Sequence, residues 1–179
     1  PTVEEPTEEP TPTSAMTLAD WTAPGASGVG VTTAVFVDST RPTPAHAEEA
    51  GAADRTLTVE VWYPAEAGSV DQAFRDQPVL PGPHPLLIWA HGFMSDRLDH
   101  GGLARFLASH GYVVASIGFP LSGRGTPGGA SAADVVNQPG DVSFVIDSLL
   151  EADGLLAGAV DGDFLAVAGL SLGGLTTAL

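Results

Sequence analysis

Hydrophobic alternation is sharpest over residues 55–64, RTLTVEVWYP, where Leu57, Val59, Val61 and Tyr63 fall on one side and Thr58, Glu60 and Trp62 on the other. Successive side chains of a strand point to opposite faces, so this spacing predicts a strand with one buried and one wetter face, closed by Pro64. Residues 30–37, GVTTAVFV, predict an earlier strand, and the small, acidic stretch 42–54 predicts the loop between them. Two further runs are apolar without alternation: LLIWA at 86–90 and FLAVAGL at 164–170. Short continuous runs of this kind fit strands buried on both faces, as in a parallel sheet. Residues 112–119, YVVASIGF, are rich in strand formers as well, and the proline-rich stretch 78–85 predicts a stiff connector.

Between these runs the period changes to that of a helix. Leu103, Phe106, Leu107 and His110 fall at i, i+3, i+4 and i+7, with Gly111 as a stop. Val142, Val145, Ile146, Leu149 and Leu150 keep the same spacing, with Pro139 near the expected helix start. The order strand, helix, strand, helix, strand predicts an α/β domain with right-handed crossovers. The glycine-rich stretch 122–134 lacks the Lys-Ser/Thr of a phosphate-binding loop and is expected to be a mobile loop after the fourth strand.

Composition narrows the partners. Twenty-two acidic residues face six basic ones, all arginine, for a net charge of −16. Nucleic acid and anionic membranes both need a cationic footprint, so neither is expected as a partner. There is no cysteine, which excludes disulfides, thiolate metal sites and a cysteine nucleophile in this chain. No apolar run approaches the ~18 residues of a membrane span. Residues 1–16 are rich in Pro, Thr and Glu with almost nothing to bury, and predict a disordered linker ahead of a domain at 17–179. Such a linker suits a secreted or surface-anchored protein. The chain begins with proline, so an N-terminal segment is expected to have been removed, or the chain to start inside a longer one.

The candidate chemistry centres on Gly169-Leu170-Ser171-Leu172-Gly173, a G-x-S-x-G sequence at the end of the apolar run 164–170 and before helix-compatible residues. In that setting the serine sits on a strained strand-to-helix turn, and the flanking glycines remove side chains that would clash there. A second feature is His91-Gly92-Phe93, directly after the run 86–90. A serine nucleophile of this kind needs two backbone N–H groups aimed at the developing oxyanion. Leu172 would supply one and Phe93 the other, with Gly92 letting the loop approach. His91 precedes the serine, whereas the base in this arrangement follows it, so His91 is expected to brace the loop. His46, His84, His100 and His110 show no metal-ligand spacing, and Asp161-Gly162-Asp163 is expected to be a turn; no metal and no cofactor are predicted.

Taken in order, RTLTVEVWYP, PLLIWAHGF, LASHGYVVASIGFP, QPGDVSFVIDSLL and LAVAGLSLGG resemble the α/β-hydrolase superfamily. Within it they resemble secreted bacterial esterases related to platelet-activating-factor acetylhydrolase, often labelled dienelactone-hydrolase-like. The resemblance runs from about residue 30 to the end. It implies the N-terminal part of an α/β-hydrolase fold, a mostly parallel sheet flanked by helices. It also implies an esterase- or lipase-like serine hydrolase that works through an acyl-enzyme on Ser171, with Phe93 and Leu172 as oxyanion donors and a small or lipid-like ester as substrate. Dienelactone hydrolases carry cysteine at the elbow, so serine here speaks against lactones. Leu170 stands where relatives often have histidine or tyrosine. The triad order is Ser, then Asp or Glu, then His. Only eight residues follow Ser171, so the chain is expected to be cut within the helix after the elbow and to need the C-terminal part of the same domain as its partner. Alone it is expected to be inactive. The alternatives are an acyltransferase with the same nucleophile and a non-catalytic surface protein that keeps the fold.

Overall fold

The computed structural model describes residues 22–179. The expected linker at 1–16 and the expected domain start at residue 17 lie outside the described residues. Strands β1 (Gly28–Asp38), β2 (Arg55–Ala65), β3 (Phe74–Arg75), β4 (His84–Ala90), β5 (Val113–Gly118) and β6 (Val160–Gly169) form one sheet in the order β3-β1-β2-β5-β4-β6. Helices α1 (Gly101–Ser109), α2 (Gln138–Leu150) and α3 (Leu172–Ala178) flank it, with 3₁₀ turns at Ala132–Val136 and Gly154–Leu156. The sheet is mixed. β2 runs antiparallel to β1 and β5, whereas β4 is parallel to both β5 and β6.

Two cores cover the two faces of the sheet. On one face Leu57, Val59, Val61 and Tyr63 of β2 meet Leu86 and Ile88 of β4, Ala115 and Ile117 of β5, and Val142, Val145 and Leu149 of α2. On the other, Val29, Val31, Trp62 and Val114 meet Ala104 and Ala108 of α1. The result is an α/β/α layering, the α/β class that the sequence pattern predicts. α3 packs on the α2 side of the sheet. β4 lies between β5 and β6, and the chain leaves it through α1 on one face while its neighbours lead to α2 and α3 on the other. Diverging connections leave a crevice at the carboxyl end of β4, where α/β sheets generally hold their sites.

The structure alters several expectations. The wetter face expected of β2 is wet only at its start, at exposed Thr56 and half-buried Thr58; further along, Glu60 is 1% exposed and Trp62 5%. β2 is an interior strand, so α1 covers Trp62. Thr33 Oγ1 donates to Glu60 at 2.8 Å and Arg75 Nη2 at 2.5 Å, which satisfies the buried carboxylate. α1 turns Gly101, Ala104 and Ala108 to the sheet, leaving Leu103 exposed and Phe106 tilted against His110 with ring centroids 4.6 Å apart. Small residues let the helix lie close over Trp62, which fills the space that larger side chains would need. β6 begins at Val160, so the Asp161-Gly162-Asp163 turn lies inside the strand. The β4–β6 register shifts there, and Asp161 Oδ1 accepts the Asp163 N–H at 3.0 Å. β6 is also not buried. It is the outermost strand of the described sheet, and Phe164 is 65% exposed. β3 had no counterpart in the sequence pattern; two residues held beside β1 by pairing are too few to show a period.

A buried ion cluster fixes the start of β2 to the α2 layer. Arg55, fully buried, donates through Nε to Asp141 Oδ1 at 2.6 Å, and through Nη2 to Asp141 Oδ2 at 2.7 Å and Asp134 Oδ2 at 2.8 Å. Arg41 adds a second cation to Asp141 at 3.0 Å. Replacing Arg55 by methionine would leave two buried carboxylates without their main partner. The expected loss is about 3–5 kcal/mol, since breaking a buried pair costs far more than never having built it. Urea unfolding of R55M against wild type measures it; a midpoint unchanged from wild type would refute this role.

Candidate active site

The turn from β6 into α3 is tight. Leu170 donates its N–H to Ala90 O at 3.2 Å, which stitches the elbow to the end of β4. Ser171 then takes φ 55° and ψ −116°, a left-handed conformation rare for a residue with a Cβ. α3 starts at the next residue, closed by Gly173 N–H to Leu170 O at 2.9 Å and Leu175 N–H to Ser171 O at 3.2 Å. Ser171 is exposed at this corner, and its hydroxyl makes no capping bond to the helix.

The glycines around it are demanded by space. A Cβ on Gly173 would lie 2.0 Å from Ala90 O, and one on Gly169 would lie 2.4 Å from the Gly173 carbonyl. The elbow therefore rests on the β4 backbone itself. Gly92 is close to the serine: a Cβ there would be 3.2 Å from Leu170 O and 3.4 Å from Ser171 Cβ. The structure thus brings Gly92, Gly169, Ser171 and Gly173 together at the carboxyl ends of β4 and β6. Phe93 follows Gly92, with its side chain 41% exposed. Its neighbours' amides are engaged, Met94 N–H on Ser122 O at 3.0 Å and Ser95 N–H on Gly92 O at 3.1 Å, while the Phe93 N–H has no acceptor among the described residues. Leu172 is the first residue of α3, where N–H groups have no partner within a helix.

His91 lies beneath this loop, 1% exposed. Its Nδ1 is 2.8 Å from Gly92 O, and its Nε2 accepts the Phe119 N–H at 3.4 Å. With a carbonyl on one side and an N–H on the other, the ring is neutral with its proton on Nδ1. Burial pushes its pKa down, opposed in part by the Gly92 carbonyl. Neither ring nitrogen is free for Ser171, so His91 is a brace for the loop. His46, His84 and His110 bond the carbonyls of Gly129, Leu80 and Ala23, and His100 packs on Trp89. Beside His91, a groove of about 320 Å³ is lined by Arg97, Phe119, Gly123, Arg124 and Thr126, so part of the glycine-rich stretch borders a cleft. The loop after β4 is latched across this groove. Asp99 accepts bonds from Ser95 and Arg124, which hold its carboxyl down at about 2.

This is the geometry of an esterase-like α/β hydrolase fold. No family model and no curated protein matches the chain. Among solved structures it is similar to a ferulic acid esterase from Streptomyces cinnamoneus, with 25% sequence identity and a TM-score of 0.72. The match covers 88% of this chain and 56% of that one.

Two residues near the elbow were not foreseen: Gln138 and Thr176, both buried and hydrogen-bonded to each other. A polar residue at a helix start or in a short helix carries no local signal of a distant partner.

The glycine geometry makes a sharp contrast. Gly173→Ala should destabilise by about 3 kcal/mol or more, because backbone and not a flexible side chain blocks the Cβ. Gly174→Ala, whose nearest contact would be Gly169 O at 3.5 Å, should be neutral or stabilise by up to about 1 kcal/mol through helix propensity. Urea midpoints of the two variants compare them directly; similar losses would contradict the close packing of α3 on β4.

The buried imidazole also sets a pH dependence. Its folded pKa lies below the unfolded value of about 6.5. The stability tied to neutral His91 is therefore complete above about pH 6.5 and is lost as pH falls below it, because the unfolded chain takes up the proton first. Nitrogen-15 NMR should show the Nδ1–H tautomer and a titration midpoint below the unfolded value of about 6.5. A midpoint near 6.5 would overturn the assignment.

Proposed function

We propose that this chain is the nucleophile-bearing part of a serine carboxylic-ester hydrolase. The observation that carries the reading is Ser171, exposed and held in a left-handed conformation at a strand-to-helix corner, with the Gly92 loop against it. Similarity to an esterase structure supports it. In this reading Ser171 Oγ attacks the ester carbonyl and gives its proton to a general base. The carbonyl oxygen becomes an oxyanion facing the N–H groups of Phe93 and Leu172. Collapse breaks the ester C–O bond, the alcohol leaves with the proton, and an acyl-enzyme remains. Water then attacks the acyl group with its proton taken by the same base, and release of the acid restores Ser171. This route needs no cofactor. His46, His84, His91 and His110 bond backbone carbonyls and His100 packs on Trp89, so the reading assigns the base and its orienting acid to residues beyond 179. The exposed apolar side chains Phe164, Leu165 and Val167 of β6 fit further sheet from the same domain on that edge. On the sequence resemblance, the reading extends to an acetylhydrolase-like secreted esterase with a small or lipid-like ester as substrate.

The test uses the full-length hydrolase. A fluorophosphonate should label Ser171, and Ser171→Ala should abolish labelling and reduce turnover of p-nitrophenyl acetate by about 10⁴-fold or more. Labelling that survives the substitution would remove Ser171 from its role. Turnover by residues 1–179 alone would place the base within this chain.

A further inference from the structure

The two segments that carry the proposed oxyanion donors do not touch through the donors themselves. Besides the direct contact of the elbow with the end of β4, they are joined through one buried amide. Gln138 opens α2 and is fully buried. Its Nε2 donates to Ser122 Oγ at 2.8 Å, and its Oε1 accepts from Thr176 Oγ1. Ser122 and Thr176 are buried as well, at 0% and 3% exposure. From Ser122 the path continues by backbone, since its carbonyl holds the N–H of Met94, the residue after Phe93. From Thr176 it continues along α3, one turn back to Leu172, whose carbonyl lies 3.1 Å from the Thr176 hydroxyl.

Nothing about core packing alone calls for an amide here. A buried amide costs stability unless both its ends are bonded, and apolar side chains at 122, 138 and 176 together would fill the same space without that cost. What an amide adds is direction. Its donor end faces only the loop after β5, and its acceptor end faces only the elbow helix. Oxyanion donors work when they lie 2.7–3.1 Å from the oxyanion, and misplacement by about 1 Å can cost ~10²-fold in rate.

We propose that Gln138 is a positioning residue that sets the separation of the Phe93 and Leu172 N–H groups, so that the oxyanion site is held from outside by a strut of Ser122, Gln138 and Thr176. The proposal rests on the serine-esterase reading.

In the full-length hydrolase, Gln138→Leu removes both bonds, and Gln138→Glu keeps an acceptor for Thr176 with an oxygen that the Ser122 hydroxyl can reach. The leucine variant should lose about 10–100-fold in kcat with KM within about twofold, and its affinity for a tetrahedral boronic acid should fall in parallel. The glutamate variant should recover most of both. A leucine variant that melts earlier but keeps kcat and boronate affinity would overturn the proposal, as would equal losses in KM and kcat. If leucine prevents folding, Ser122→Ala cuts the strut on the loop side and Thr176→Val cuts it on the elbow side, together with the Thr176 contact to Leu172 O, both at nearly constant volume, and they give the same kinetic comparison. A readout free of catalysis separates this idea from the esterase reading. In amide NMR spectra, Thr176→Val should move the Phe93 N–H signal and Ser122→Ala the Leu172 signal, each across the strut. Shifts confined to the side of the substitution would refute the coupling even if Ser171 is labelled. Cross-strut shifts without labelling would sustain the strut and sink the esterase reading.

Discussion

The contact of the elbow with the end of β4 governs the arrangement of the site. There the Gly173 Cα stands so close to Ala90 O that even a methyl group has no room. Such an approach brings the first turn of α3 against the backbone of a neighbouring strand, and it forces the chain to turn within one residue. That residue is Ser171, and its left-handed backbone is the consequence. The same approach sets the Gly92 loop beside the serine, because the loop begins at the very strand end on which the elbow rests.

The buried polar groups of the α2 layer serve this packing in two ways. Arg55, Asp134 and Asp141 anchor the layer to the sheet with charge, at a desolvation cost offset by bidentate geometry. Gln138, four residues after Asp134 and three before Asp141, faces the elbow with uncharged bonds. The ion cluster thereby holds the helix that carries the amide. On the other side of β4, α1 closes the sheet with alanines and leaves the loop after β4 to be latched by Asp99 and Arg124.

At β6 the balance differs. Its apolar side chains are exposed in a strand whose partner on one edge is β4 alone. An apolar strand in this state is a strong template for pairing with another strand. In the same molecule β3, a two-residue edge strand, is short and carries Arg75, features that discourage further pairing. The two edges of the sheet are therefore unlike.

The order of strands and helices, the α/β class and the corner at Ser171 were legible in the sequence because each is written locally. Alternation marks β2, continuous apolar runs mark β4 and β6, and glycines two residues either side of a serine mark a turn too crowded for side chains. Tertiary structure alone decided which face of α1 is buried, since the room left by Trp62 selected alanines over Leu103. It likewise decided that Glu60 is buried, because its partners Thr33 and Arg75 come from other strands. The pairing of Phe74 and Arg75 as a strand depends on β1, and the role of Gln138 depends on hydroxyls 16 residues before it and 38 after it. Local pattern carries the propensity of a segment and the period of its apolar face. It carries nothing about which distant group arrives to satisfy a buried donor or fill a gap, and that is what separates the readable part of this site from the rest.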